Sequence, residues 1–303
     1  MSLETAMQMS TNEGLYMEDS VVILIDADSL YYRCCMVTQK QHEIRKNINS
    51  MMSNIERECS LFCDNVLVKV AVKGKGNFRY DIFSDYKGNR TTELEPHIKE
   101  ALNYAHNYLI EKFDAVRCDG MEADDMVAIW SWECIKAGID YYIVHIDKDL
   151  DMIPGRHYNF TKDEHYVVDF DKANYNFIKQ CLTGDSADHI PGIKGIGPKK
   201  SEKLLDGIPY NQRWSIVKSQ WADAKQMLIS ARLLWMSTTQ EEVDSANELM
   251  LKRLDAKTLD EFWLGVNDED GSESTSEASE CEQDVREEGS SDVQTEGVSG
   301  LPT

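Results

Sequence analysis

Runs of apolar residues alternate with amphipathic stretches through the first half of the chain. Val21–Asp26 (VVILID) is a continuous apolar run that closes on a carboxylate, the pattern of a strand buried on both faces. Val66–Val72 (VLVKVAV) predicts a second strand, Ala115–Cys118 a short third and Tyr141–Ile146 (YYIVHI) a fourth. Helical spacing falls between them, near 46–63, 96–112 and 122–137, with Met126, Ile129, Trp130 and Cys134 repeating along the last. This alternation predicts an α/β fold, a parallel sheet with helices on both faces. From about residue 172 to about 264 the pattern is helical, with Trp214, Trp221 and Trp235 as core candidates.

The two ends read differently. Residues 1–20 are polar and predict a flexible extension. Residues 267–303 hold no aromatic residue, 12 acidic residues and one basic residue, Arg286. Such a segment buries too little surface to offset its ordering entropy, so a disordered acidic tail is expected. It carries half of the chain's net charge of −22. The expected division is therefore 1–20, an α/β domain at 21–172, a helical region at 173–266, and the tail. No run approaches the roughly 18 apolar residues of a membrane span, and the N-terminus lacks the basic and apolar regions of a secretory signal. Eight scattered cysteines without a CxxC spacing fit reduced thiols in the cytoplasm.

Carboxylates stand where strands end. Asp26 and Asp28 close the first strand; Glu122, Asp124 and Asp125 (EADD) open a helix after the third; Asp147 and Asp149 (DKD) follow the fourth; Asp185 and Asp188 sit in GDSADHIPG. In an open parallel sheet these ends face one crevice. Nine carboxylates there would repel one another unless cations neutralise them. Hard oxygen donors with no clustered His or Cys favour Mg²⁺ or Mn²⁺, and two such ions suit in-line phosphodiester cleavage. Each cluster also has a plainer reading. EADD can complement a helix dipole, worth about 0.3–1 kcal/mol per charge, and DKD can be a turn.

Two basic stretches accompany them. Lys69–Arg90 contains six basic and two acidic residues, among them Lys73, Lys75, Arg79, Lys87 and Arg90. Ile190–Leu205 reads IPGIKGIGPKKSEKLL, a Gly195-Ile196-Gly197 turn before Pro198, with Lys194, Lys199 and Lys200 around it. A helix N-terminus of this kind can receive a phosphate.

Together LIDADSL, DYKGNR, MEADDMVA, HIDKDLDMI and GDSADHIPGIKGIGPKK, in this order across residues 21–205, resemble the flap endonuclease / 5′→3′ exonuclease family, most of all its compact phage-encoded and bacterial members. The resemblance implies a PIN-like nuclease domain followed by a helical region with a helix–hairpin–helix. It implies metal-dependent hydrolysis near 5′ ends, extending to RNase H activity, on nicked, 5′-flap or recessed-end DNA or RNA–DNA hybrids in replication or recombination. Asp26, Glu122, Asp124 and Asp125 would serve a first metal, with Asp28 ranked below them, and Asp147, Asp149, Asp185 and Asp188 a second. Tyr86 would stack on a terminal base, and Lys87 and Arg90 would hold the scissile phosphate. Lys73, Lys75 and Arg79, with Gly192, Lys194, Gly195, Ile196, Gly197, Lys199 and Lys200 of the hairpin, would hold duplex, with K⁺ at the hairpin. A monomer in the cytoplasm (the host's, if phage-encoded) is implied, with single-strand-binding or other replication proteins as partners.

Three departures stand out. Val72 occupies the position at which an Asp is expected to end the second strand. His189 follows Asp188 where Asn is common. Only 31 residues separate Arg90 from Glu122, and Thr91–Pro96 lacks basic residues, so a closed arch for threading single strands is not expected. A degenerate homologue that grips branched DNA without cutting is the alternative that Val72 raises. A haloacid-dehalogenase-type phosphatase, on the DxD of LIDADSL, is a second alternative, and it leaves the other motifs without a role.

Overall fold

The first apolar run becomes the centre of the sheet. The computed structural model describes residues 20–264 apart from 61, 62, 64, 91 and 92; the expected N-terminal extension (save Ser20) and the acidic tail lie outside the described residues. β1 (Ser20–Asp26) pairs in parallel with β2 (Asn65–Lys73) on one edge and with β4 (Tyr141–His145) on the other. With β3 (Val116–Cys118), β5 (Gly155–Asn159) and β6 (Glu164–Val168) they form one six-stranded sheet ordered β3-β2-β1-β4-β5-β6.

Alternation along β1 sorts its side chains. Ile23 and Ile25 enter the core beneath α1 (Asp28–Val37), α2 (Gln41–Cys59) and, past the single turn α3 (Arg79–Ile82), α4 (Pro96–Phe113). Val22 and Leu24 enter the opposite core, against α5 (Ala123–Ala137). The expected helices on both faces are therefore present. The sheet is not wholly parallel: β6 runs antiparallel to β5. Neither β5 nor the edge strand β6 has an apolar run (GRHYN, EHYVV), which is why hydrophobic patterning passes over them. α1 is likewise hidden in sequence, because it begins two residues after β1 ends.

The rest is helical: α6 (Phe170–Thr183), α7 (Pro198–Leu205), α8 (Tyr210–Gln220), α9 (Ala224–Leu234), α10 (Gln240–Asp244) and α11 (Leu259–Leu264), with 3₁₀ turns at Lys148–Met152 and Leu249–Arg253. These helices share a core with the sheet layer. Tyr86, Trp132 and Met152 join Phe177, Trp214, Trp235 and Trp263 in one buried cluster. α5 is consequently buried along most of its length, since it lies between the sheet and the helical layer. The boundary expected near residue 172 is a change of architecture with a common core across it.

Trp263 is the outermost member of this junction, stacked on Trp132 and Trp235 with ring centroids 5.3 and 5.6 Å apart. Trp263→Ala should lower the unfolding free energy by about 3–5 kcal/mol. Urea denaturation followed by far-UV circular dichroism and by fluorescence should still give one transition; two separated transitions would refute a shared core.

Candidate metal and nucleic-acid site

Strand parity decides where each acid points. Asp26 has the parity of Val22 and Leu24, so its side chain lies on the α5 side of the sheet. Glu122 caps α5 in a capping box, its backbone N–H donating to Asp125 Oδ2 at 3.2 Å. Asp147 caps the 3₁₀ turn and accepts from Asp149 N at 3.0 Å. Asp185 and Ile190 exchange two backbone hydrogen bonds, and Asp185 Oδ1 accepts from Ala187 N at 2.7 Å. The ends of β1, β3 and β4 and the 185–190 turn thus deliver their acids to one cleft.

Crowding is visible in the ionisation of these groups. Burial, then the Asp28 charge, pushes Asp26 up to about 8. Burial and Asp147 push Asp149 up to about 6. Burial raises Asp28 as well, and burial with Glu122 and Asp125 raises Asp124. Two members go the other way. Burial opposes the charge of Glu122, but Arg79 and Lys87 hold it below its ordinary value; burial opposes that of Asp185, but Lys148 lowers it. Lys148 Nζ lies 2.9 Å from Asp185 Oδ2 and 3.3 Å from Asp149 Oδ1. The donors are all carboxylate oxygens, a set that fits hard divalent cations. Gln180 Oε1, buried beside Asp149 without a hydrogen-bond partner, is a further oxygen at the same place.

The basic loop is stapled to the 185–190 turn. Lys87 N donates to Asp188 O at 2.9 Å and Asn89 Nδ2 to Ser186 O at 2.7 Å. Lys87 adopts φ 55°, a left-handed conformation that costs a lysine energy and that these contacts sustain. Its Nζ pairs with Glu122 Oε1 and lies 3.4 Å from Asp188 Oδ2, and Arg90 Nη2 lies 2.6 Å from Asp188 Oδ1. Asp188, assigned in sequence to the second metal, is therefore tied through Lys87 and Tyr86 to Glu122 of the first.

Several assignments change. Asp125 is fully buried and forms a two-point ion pair with Arg79, at 2.5 and 2.9 Å; it is a structural anchor and presents no carboxylate to a metal. Arg79, 1% exposed, also donates to Leu233 O and Trp235 O, so it does not reach DNA. Tyr86 is 2% exposed, too enclosed to stack on a base; its hydroxyl lies 2.9 Å from Glu122 Oε2 and 3.0 Å from Asp188 Oδ2 and donates to one of them at a time. Tyr80, edge-on to Tyr86 and half exposed, is the accessible aromatic beside it, and sequence reading did not single it out.

The missing strand-end acid also moves. Asp26 pairs in register with Ala71, and Ala71 shares its face, whereas Val72 packs in the opposite apolar core. A carboxylate beside Asp26 would therefore arise from position 71, and an Asp at 72 would be buried among hydrocarbon. Asp28 partly fills this corner: its Oδ1 accepts from Lys73 N, at the end of β2, at 2.8 Å. A cleft of about 970 Å³ opens beside it, lined by Tyr31, Tyr32, Arg33, Lys73 and Arg90 among others.

In the hairpin, Gly197 caps α7 and Pro198 starts it, as expected. Gly195 (φ 81°) and Gly197 would meet nothing if given a Cβ, so their backbone is open to a ligand, and Lys194, Lys199 and Lys200 are exposed around them. Gly192 and Ile196 have other tasks. A Cβ on Gly192 would strike Thr183 O at 2.1 Å, and Ile196 is buried with its N–H donated to Ile193 O. They shape the turn, Ile196 from within the core and Gly192 from a partly exposed position. Lys75 is exposed, with its backbone N–H on Asp119 Oδ1 at 2.7 Å.

Comparison with known proteins identifies the family and the fold. The model of the 5′-3′ exonuclease N-terminal resolvase-like domain matches residues 21–178. A 5′-3′ exonuclease of Mycoplasma genitalium is 32% identical over 212 residues, 60% of this chain and 70% of that protein. DNA polymerase I of Streptococcus pneumoniae is 25% identical over 284 residues, 82% of this chain but 32% of the polymerase, so the match spans about a third of that relative. Among solved structures, T5 5′-exonuclease with bound zinc superposes at a TM-score of 0.59 with 18% identity, covering 76% of this chain and 97% of that one. The bacteriophage T5 D15 flap endonuclease complex with DNA and metal ions gives 0.57 and 19%, covering 80% and 96%. These two likenesses establish the fold. No phosphatase is among these relatives.

Asp124 and Asp125, adjacent in sequence, should respond oppositely. Asp125→Ala strands a buried guanidinium and should cost about 3–5 kcal/mol, whereas Asp124→Ala removes a crowded carboxylate and should leave metal-free stability unchanged or higher; urea unfolding of both variants checks this. The raised acids also set a pH dependence. Asp26 binds a proton more tightly folded than unfolded, from its ordinary 3.8 up to about 8, and Asp149 up to about 6. Their contribution is fully present below 3.8 and is lost as pH rises through the folded values. The rise in Tm on adding Mg²⁺ should therefore be larger at pH 8 than at pH 5, and an equal rise at both would contradict the crowding.

Proposed function

The chain belongs to the 5′-3′ exonuclease family, and from that premise we propose that its acidic cleft hydrolyses phosphodiester bonds near 5′ ends of DNA with two divalent cations, Mg²⁺ or Mn²⁺. The observation that carries this reading is the convergence of Asp26, Asp28, Glu122, Asp124, Asp147, Asp149, Asp185 and Asp188 on one cleft, with Lys87, Arg90 and Lys148 set against its acids. Asp26, Asp28, Glu122 and Asp124 would hold one cation, and Asp147, Asp149, Asp185 and Asp188 the other. Bound there, the ions would lower the pKa of a water and stabilise negative charge on the phosphoryl oxygens.

The chain's own residues do the rest. Lys87 and Arg90 now neutralise Glu122 and Asp188; once cations take over that task, both are placed to meet a substrate phosphate. Lys73 and Arg33, on the neighbouring cleft, extend the positive surface along an incoming strand. The open Gly195–Gly197 backbone with Lys194, Lys199 and Lys200 would hold duplex by its phosphates, with K⁺ in the turn. This mode reads no base edges, so nicked, recessed-end and 5′-flap duplexes and RNA–DNA hybrids are all accommodated. α4 packs on α1 and the sheet through Ala101, Ala105 and Leu109.

Labelled nicked, recessed-end and 5′-flap DNA incubated with Mg²⁺ or Mn²⁺ should be cut from the 5′ side. Asp147→Asn/Asp149→Asn should abolish cleavage, and Lys87→Ala should slow it by about 10²–10³. Absence of any metal-dependent product in the wild type would overturn the assignment.

A further inference from the structure

Two buried histidines outside the cleft have a hydrogen-bond arrangement that does not close. His145 ends β4 and His157 lies on β5, at 1% and 0% exposure. His145 Nδ1 lies 2.6 Å from Asp147 O, and His157 Nε2 lies 2.9 Å from Ile153 O. Both carbonyls only accept, so each of these nitrogens must carry a proton. Neutral imidazole has one proton. The remaining two nitrogens, His145 Nε2 and His157 Nδ1, are then both lone pairs, and they face each other 2.8 Å apart.

Two opposed lone pairs need a cation between them. A proton would suffice, but it would leave a charged ring at 1% or 0% exposure. The surroundings suit a metal instead. Asp151 Oδ1 lies 4.0 Å from His145 Nε2, and the three ligand atoms lie within 4.8 Å of one another. Zinc bonds of 2.0–2.1 Å in a tetrahedron separate ligand atoms by about 3.3 Å, so the histidines would part slightly and Asp151 would close in. Tyr166 Oη, 2.7 Å from Asp151 Oδ1 and 3.3 Å from His145 Nε2, is the nearest further oxygen. The two carbonyls already orient the rings through their other nitrogens, as partners behind metal-ligating histidines do.

We propose that His145, His157 and Asp151 form a structural Zn²⁺ site. Nitrogen donors distinguish it from the all-oxygen cleft and favour zinc over Mg²⁺. It would link β4, β5 and the 3₁₀ turn. Because His145 Nδ1 also holds the Asp147 carbonyl, the ion would fix the segment that carries Asp147 and Asp149 from behind.

The test uses the full chain, stripped with EDTA, given a large excess of Mg²⁺ to fill the cleft, and titrated with Zn²⁺ or Co²⁺. One equivalent of zinc should be retained against Mg²⁺, Tm should rise, and Co²⁺ should give the visible absorption of a tetrahedral site. Asp151→Asn and His157→Gln should lose this equivalent. His157→Cys, which keeps a zinc donor, should retain it, as should Asp147→Asn/Asp149→Asn. Failure of the wild type to retain zinc against Mg²⁺ would overturn the proposal and leave a shared proton between the rings. Loss of the zinc in the Asp147→Asn/Asp149→Asn variant would also overturn it, since the ion would then belong to the cleft.

Discussion

A guanidinium withdrawn from water has to be paired and fully hydrogen-bonded, and Arg79 meets that demand through two distant segments at once. It ion-pairs with Asp125, near the start of α5, and donates to the carbonyls of Leu233 and Trp235, 154 and 156 residues beyond Arg79 in the chain. Asp125 in turn accepts from Glu122 N and Ser237 N. The single turn that leads into the basic loop, the N-terminus of α5 and the helical layer are thus locked together at one point. Glu122 and Asp124 flank this lock, so their position depends on it. Removing either partner would leave a buried charge that nothing else nearby can satisfy.

Around the lock, the cleft is a balance between crowding and compensation. Asp26, Asp124 and Asp149 resist ionisation because burial and their neighbours disfavour more negative charge. Glu122 accepts it because Arg79 and Lys87 sit against it, and Asp185 because Lys148 does. Binding of divalent cations would relieve the first group and release the basic partners of the second. The same side chains can therefore neutralise the cleft before a metal binds and face a phosphate afterwards, which is why a chain of net charge −22 remains compatible with a nucleic-acid substrate.

Much of this was legible in one dimension. VVILID, VLVKVAV and YYIVHI each became strands, because a strand flanked on both edges and covered on both faces must be continuously apolar. Acids at the ends of such strands had to meet, since parallel strands share a carboxyl edge. The glycine turn before Pro198 was readable because φ above zero and an N-terminal proline are local requirements. β5 and β6 escaped notice because GRHYN and EHYVV carry little apolar signal, and α1 because no turn separates it from β1.

What remained hidden was which polar side chains are exposed and which are consumed. Asp124 and Asp125 are indistinguishable as letters, and Arg79 differs from Arg90 only by eleven positions in the same basic run. Tertiary packing separates them, because a helix N-terminus directs consecutive residues to different sides and only one side of α5 meets Arg79. Register made the same decision between Ala71 and Val72, since one residue along a strand exchanges cleft for core. The sequence by itself determined the elements, the chemistry of the cleft and the order in which its parts occur, all of which are properties of local pattern. Which carboxylate anchors and which is offered to a metal, and which histidines face each other across β4 and β5, depend on distances between segments far apart in the chain; only the folded structure decides those.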